Sequence, residues 1–111
     1  MIDKSKRPAP TTGEGVLGNY ETLVGWDPFE DAAGPMYESR KGIEPRRCAM
    51  VIEPKHCNTS GIVHGGLLMT FADYSTFALA REAIGPNGGV TISMTSDFTS
   101  AARADDLLEA S

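Results

Sequence analysis

The sequence predicts an α+β fold in which one long helix lies against an antiparallel β-sheet. The first observation is the segment from His64 to Ile84, in which apolar and small side chains recur at helical spacing. The second is a set of short segments with strand-like composition on both sides of this helix. Short strands, one long apolar helix and further strands, in that order, are typical of such a plan.

The long helix is predicted over residues 64–84. Gly85-Pro86-Asn87-Gly88-Gly89 then gives a strong stop signal. The predicted stripe follows i, i+3, i+4 spacing and ends in one polar residue. It consists of Leu68, Phe71, Ala72, Ser75, Ala78, Leu79 and Glu82.

Four segments are candidates for strands. Met36 to Ser39 follows Gly34-Pro35, and Arg47 to Ile52 is ended by Pro54. The run VTISMTSDF from Val90 alternates apolar and polar residues, which predicts a half-buried strand. Asp106 to Ala110 begins another strand or helix.

The N-terminal 34 residues are expected to form a lead-in and one short helix, before a domain over residues 35–111. Residues 1–15 are rich in proline, glycine and charge, which predicts a mobile segment. A short helix is expected near Tyr20 to Val24, then a loop opened by Asp27-Pro28. One strand after the long helix cannot cover its apolar sides. We therefore expect C-terminal strands to be missing, or to be supplied by a partner chain; a mini-domain ending at Ser111 is the alternative.

Composition narrows the functional classes. The chain has 111 residues and a net charge of −5, which argues against a nucleic-acid-binding protein. Cys48 and Cys57 form neither a disulfide framework nor a zinc site, and no metal is expected. The first residues lack the apolar core of a secretory signal, and the longest near-apolar stretch is too short for a membrane span. These features predict a cytoplasmic protein that does not enter a membrane.

The segment from Asn58 to Asp73 contains the candidate chemistry. His64-Gly65-Gly66 falls at the start of the long helix, where backbone N–H groups are unpaired and can stabilise an oxyanion. Asp73 lies among apolar residues, where a carboxylate is costly unless it has a chemical role. Nine residues of helix separate His64 from Asp73, a rise of roughly 13 Å. A shared site therefore needs the helix of a second subunit.

Plainer interpretations stay open for each of these residues. A histidine before two glycines is often only a helix cap, and Gly-Gly is a common loop signal. An aspartate in a helix can simply face a solvent-filled groove.

Asn58-x-x-Gly61-x-x-His64-Gly65-Gly66, followed by Ala72-Asp73, resembles the signature of the phenylacetate-pathway (PaaI-like) hotdog thioesterases. The resemblance covers roughly Met36 to Ser111. It implies a long helix wrapped by an antiparallel sheet, assembly as homodimers or homotetramers, and hydrolysis of acyl- or aryl-CoA thioesters. It implies no cofactor, since coenzyme A is part of the substrate.

The resemblance also implies roles for single residues. Asp73 would be the general base or nucleophile, acting from the opposite subunit, and the Gly65 N–H would polarise the carbonyl. Asn58, His64 and Thr91 would position the substrate or the attacking water. Gly66 and Arg103 would bind substrate, Arg103 at the coenzyme A phosphates. Composition alone, and not the resemblance, adds Arg46 and Arg47 as second candidates for such contacts.

Other functions stay open beside this one. A hotdog hydratase or dehydratase, and a non-catalytic acyl-CoA-binding module, are the alternatives. A zinc or cysteine enzyme is disfavoured because Cys57 and the adjacent His56 lack further ligands.

Overall fold

The computed structural model describes residues 3–86, 88–95 and 100–111. Within them lies one antiparallel sheet of five strands, arranged side by side in chain order. The strands are β1 (Thr11–Thr12), β2 (Tyr20–Thr22), β3 (Tyr37–Ser39), β4 (Cys48–Val51) and β5 (Leu107–Ala110). The helices are α1 (Pro28–Ala33), α2 (Gly65–Leu79) and α3 (Arg81–Ile84), with short 3-10 turns at Lys4–Lys6, Gly15–Leu17 and Pro54–His56.

The α+β prediction is confirmed, with the long helix divided in two. His64 is the N-cap of α2, and Ala80 interrupts the helix with φ −98° and ψ 11° before α3 continues to Ile84. Gly85 then ends α3 with a φ of 83°, which favours glycine. Asn87 of the predicted stop lies outside the described residues.

The buried face of α2 differs in part from the predicted stripe. Leu67, Phe71 and Ser75, spaced four residues apart, are buried, whereas Ala72 and Glu82 are exposed. The reason is the position of β4, which contacts the row of side chains beginning at Leu67.

The core joins this helix face to the inner side of the sheet. Its side chains are each at most 8% exposed, and burying a large apolar side chain contributes about 1.5–3 kcal/mol. They are Met36, Cys48, Met50, Ile52, Val63, Leu67 and Phe71.

The strands predicted at Met36 to Ser39 and Arg47 to Ile52 are confirmed, and the helix predicted near Tyr20 to Val24 is wrong. Residues 37–39, 48–51 and 107–110 are strands, as expected. Tyr20–Thr22 is a strand instead of a helix, because Tyr20 pairs with Ser39 of β3 and Thr22 with Thr11 of β1, and aromatic and β-branched residues suit a strand. Residues 11–12 extend the same sheet.

Asp27-Pro28 opens a helix where a loop was expected. The Asp27 carboxylate accepts the Glu30 N–H at 3.0 Å, Pro28 occupies the first turn, and Asp31 adds negative charge near the positive end of the helix. These features favour the start of a helix, and they explain why residues 28–33 are helical.

The predicted half-buried strand from Val90 is also wrong as far as Thr95. In the described part of the chain no strand pairs with residues 90–95, so their backbone forms no ladder. Val90 is 84% exposed and Ile92 95% exposed. The part of that prediction at residues 96–98 lies outside the described residues. No helix among the described residues is long and apolar enough to cross a membrane.

Candidate active site

Asp73 lies in a cleft of about 600 Å³ between the long helix and the N-terminal segment. One wall comes from α2 and α3, where residues three or four positions apart face the same side. The helical side chains in this wall are Asp73, Tyr74, Phe77, Ala78, Arg81 and Ile84. The segment after α3 folds back over the helix and adds Gly88 to Thr91 to the lining.

Two of the predicted site residues meet in this cleft. The hydroxyl of Thr91 donates a hydrogen bond to Oδ1 of Asp73. Close packing brings the chain back to this point: a Cβ placed on Gly89 would lie 3.3 Å from Cε1 of Phe77 and 3.8 Å from Cγ2 of Ile84. A side chain at position 89 would therefore require the Phe77 ring to shift by a few tenths of an ångström.

The opposite wall comes from residues that the sequence did not mark as functional. β2 contributes Glu21 and Thr22, the following loop Leu23 and Trp26, and the start of α1 Asp27 and Glu30. The start signal at Asp27-Pro28 could have identified α1. No local signal places α1 opposite the long helix, because that depends on tertiary packing.

The cleft is rich in carboxylates. Among the described residues its lining contains five acidic and two basic side chains, namely Glu21, Asp27, Glu30, Glu38, Asp73, Arg7 and Arg81. Glu38 is compensated, because its Oε1 lies 3.0 Å from Arg81 Nη1 and its Oε2 lies 4.0 Å from Arg46 Nη2.

Glu30 is not compensated in this way. Burial, and then the neighbouring charge of Asp27, raise the pKa of the Glu30 carboxyl to about 7. Burial also raises the pKa of the Tyr74 phenol, with Glu38 as the next cause. Glu30 is therefore about half protonated near neutral pH, and Tyr74 stays uncharged.

A second, smaller cleft of about 320 Å³ lies at the start of α2. Nδ1 of His64 accepts the Gly66 N–H at 3.1 Å, so His64 caps the helix as the plainer interpretation held. Gly66 and His64 both line this cleft. Within the described residues the Gly65 N–H has no acceptor, which leaves it free to donate to a ligand.

Buried His56 supports the wall of this second cleft. Its Nδ1 accepts the Glu53 N–H at 2.9 Å, and its Nε2 lies 2.7 Å from the Ala33 carbonyl oxygen. Nε2 therefore carries the proton in this arrangement, as the donor to Ala33. The hydrogen bond to Ala33 therefore connects the C-terminal end of α1 to the 3-10 turn at Pro54–His56.

Asn58 and Arg103 lie at a third location. Oδ1 of Asn58 accepts the N–H groups of Ser60 at 2.9 Å and Ile62 at 3.2 Å, which closes the turn before α2. Ile62 forms a bridge with Arg103, whose side chain is exposed. Neither residue lines the cleft of Asp73.

Within one chain the structure thus brings Asp73 together with Thr91 but separates both from His64, Gly65 and Gly66. Tyr74 and Phe77 line the cleft of Asp73, whereas Leu67 is buried in the core. No group of three potential metal-ligating side chains occurs in residues 3–86, 88–95 and 100–111.

Comparison with known proteins adds a family to this geometry. Residues 60–111 match the model of the thioesterase superfamily. The chain is 35% identical over 91 residues to a Pseudomonas aeruginosa protein named "Putative esterase PA0474", a match that spans 81% of this chain and 68% of that protein. No solved structure shows significant similarity to the chain.

Proposed function

The chain belongs to the thioesterase superfamily, and from that premise we propose that it hydrolyses the thioester bond of acyl- or aryl-CoA. Its five-stranded antiparallel sheet and long helix agree with the hotdog fold. The family suggests hydrolysis of a thioester or an ester. We propose further that the substrates are coenzyme A thioesters, that the enzyme is PaaI-like, and that it acts in the cytoplasm.

A single observation supports the proposal most strongly. Asp73 and Thr91 share a cleft with an apolar wall, while the free Gly65 N–H lies at the N-terminus of the same helix. A carboxylate that can accept a proton and a donor that can stabilise an oxyanion are what thioester hydrolysis requires.

These groups suggest the following reaction. Asp73 removes a proton from water, and the water oxygen attacks the thioester carbonyl carbon. The carbonyl oxygen becomes negative and accepts the Gly65 N–H, as His64 already occupies that of Gly66. The C–S bond then breaks, and the protonated Asp73 returns its proton to the departing thiolate. Thr91 holds the carboxylate in place through its hydroxyl.

The two groups have to come from different subunits. Gly65 and Asp73 are eight residues apart in one helix, a rise of about 12 Å, so one carbonyl cannot contact both in the same chain. A two-fold pair of antiparallel helices would create two such sites. The exposed Val90 and Ile92, on a segment without a strand neighbour in the described part of the chain, support association with a second copy.

The remaining predicted residues fit the same proposal as substrate contacts. Coenzyme A is polyanionic, so its phosphates are disfavoured in the acidic cleft of Asp73, which we assign to the acyl group. Exposed Arg103 lies outside that cleft and suits a phosphate. Asn58 closes the turn that leads into the helix start, and so supports the position of the Gly65 N–H.

The first test is thiol release from a panel of short, medium and aryl acyl-CoAs. Asp73→Asn keeps the shape of the side chain and removes its basicity, so turnover should fall by a factor of about 10²–10⁴. Asp105→Asn is the matched control, because Asp105 is exposed and has a φ of 75°, which asparagine accepts readily. Near-normal turnover in Asp73→Asn would overturn the assigned role.

A mixing experiment tests the shared site. Gly65→Pro removes one backbone donor at the first helical position, where proline is well tolerated, and the extended ψ of 135° at His64 accepts a following proline. Random mixing of Gly65→Pro with Asp73→Asn chains gives dimers of which half are mixed, each with one intact site. About a quarter of wild-type activity should return. No recovery in verified mixed dimers would contradict a site shared between subunits.

A further inference from the structure

We propose that Glu30 makes the cleft of Asp73 selective for acyl groups with an apolar stem and a positively charged far end, and against acyl groups that end in a carboxylate. This inference rests on the proposed thioester hydrolysis. It concerns the wall formed by residues 20–30, which lies outside the family match at residues 60–111.

The apolar character of the acyl stem is inferred from apolar side chains on both walls of the cleft. Leu23 and Trp26 line the cleft from the N-terminal side, and Phe77 and Ile84 line it from the helices. All four are partly exposed, because they open into the cleft instead of the core. Contact with an apolar chain would remove this surface from water, which is the main source of affinity for such a group.

The positive charge proposed for the far end of the acyl group follows from the excess of carboxylates over arginines in the cleft around Glu30. Five carboxylates line the cleft among the described residues, and one of the two arginines there, Arg81, is already held by Glu38 at 3.0 Å. Glu30 lies beside the Asp27 carboxyl, and in the described part of the chain it forms no ion pair. A second carboxylate brought by a substrate would add to this repulsion, whereas a cation would relieve it.

The titration of Glu30 agrees with this geometry. Its pKa is raised to about 7 by burial and by the nearby charges of Asp27, Asp31 and Glu38. A cationic group beside Glu30 favours the ionised carboxylate and lowers that pKa. Binding of a cationic acyl group near neutral pH should therefore release a proton.

The experiment compares three thioesters of equal chain length: hexanoyl-CoA, 6-aminohexanoyl-CoA and adipoyl-CoA. kcat/KM is measured for wild type, Glu30→Gln and Glu82→Gln, with an enzyme-free blank for spontaneous cyclisation of the amino compound. Glu82 is the matched control, since it is exposed and outside the lining of the cleft.

Wild type should prefer the amino compound over adipoyl-CoA by about tenfold or more, the effect of one partly solvated charge pair. Glu30→Gln should lower this preference about tenfold, and Glu82→Gln should leave it unchanged. Trp26→Ala removes apolar surface from the wall of the cleft without changing any charge. It should therefore lower kcat/KM for all three compounds by a similar factor.

Equal hydrolysis of the two charged compounds by wild type, or an unchanged preference in Glu30→Gln, would overturn the proposal. The same compounds are also titrated into Asp73→Asn and into the double variant with Glu30→Gln, by calorimetry. If wild type hydrolyses none of them, the proposed function fails. The ratio of Kd values then still decides the selectivity, because binding in the cleft does not require turnover.

Discussion

Replacing Glu30 by glutamine should stabilise the protein above about pH 4.5, with the full gain reached above about pH 7. The carboxyl has a pKa of about 7 in the folded chain and 4.5 as the unperturbed value, so the folded state binds more protons than the unfolded state between these limits. The free energy of unfolding therefore falls as pH rises from about 4.5 to about 7. Glutamine does not titrate, and Glu30→Gln should lose this component of the pH dependence.

The size of the effect follows from the same two values. Full conversion of the difference would give about 3 kcal/mol, at 1.36 kcal/mol for each pKa unit. Glu30 is only half-buried, and solvent screens part of its repulsion with Asp27, which reduces the expected gain to about 1–2 kcal/mol. Below pH 4.5 the carboxyl is protonated in both states, and the two proteins should be equally stable.

Urea denaturation at pH 4 and pH 8, at one protein concentration, measures this difference. Glu82→Gln is again the control, because an exposed charge outside the cleft should change stability by less than about 0.5 kcal/mol. A gain for Glu30→Gln that is the same at both pH values would refute the reasoning, as would the absence of any gain at pH 8.

Three further substitutions test the core, the helix junction and the site. Phe71→Ala removes a side chain that is 5% exposed from the centre of the core, and should cost about 3–5 kcal/mol in urea denaturation; a loss below 1 kcal/mol would contradict that packing. His56→Ala breaks the bonds to Glu53 and Ala33 and should cost about 1–3 kcal/mol; unchanged hydrogen exchange in α1 would argue against the link. Thr91→Val removes the hydroxyl bonded to Asp73 and should lower kcat for thioester hydrolysis about tenfold at unchanged stability; kcat equal to wild type would exclude a positioning role.

The strands and helices that could be predicted were those with strong local signals. The helix from His64 was identifiable because its apolar residues recur over about four turns. Cys48–Val51 was identifiable because it is apolar and is followed by a proline. The strand expected from Val90 failed because alternation only shows that a segment can pair. Whether it does pair depends on a neighbouring strand, and none is present among the described residues.

Of the residues that line the cleft, Asp73 and Thr91 could be predicted from the sequence. A carboxylate inside an apolar helix is unusual enough to mark Asp73 in any sequence, whereas Thr91 was marked only by the family resemblance. Glu30 and Trp26 gave no such signal, because an acidic residue in the first turn of a helix and an isolated tryptophan are both ordinary. Their importance comes only from the packing of α1 and its preceding loop opposite α2.

Glu30 also allows structural and functional roles to be separated in one variant. A carboxylate kept only for the fold should stabilise it, as Asp27 does by capping α1. Glu30 is expected to do the opposite at neutral pH, since its charge opposes that of Asp27 in a partly buried position. If Glu30→Gln is more stable than wild type and also loses the preference for the amino thioester, the destabilising charge is explained by substrate selection. If it gains stability and keeps the preference, the repulsion at Glu30 is real but the far end of the acyl group does not reach it.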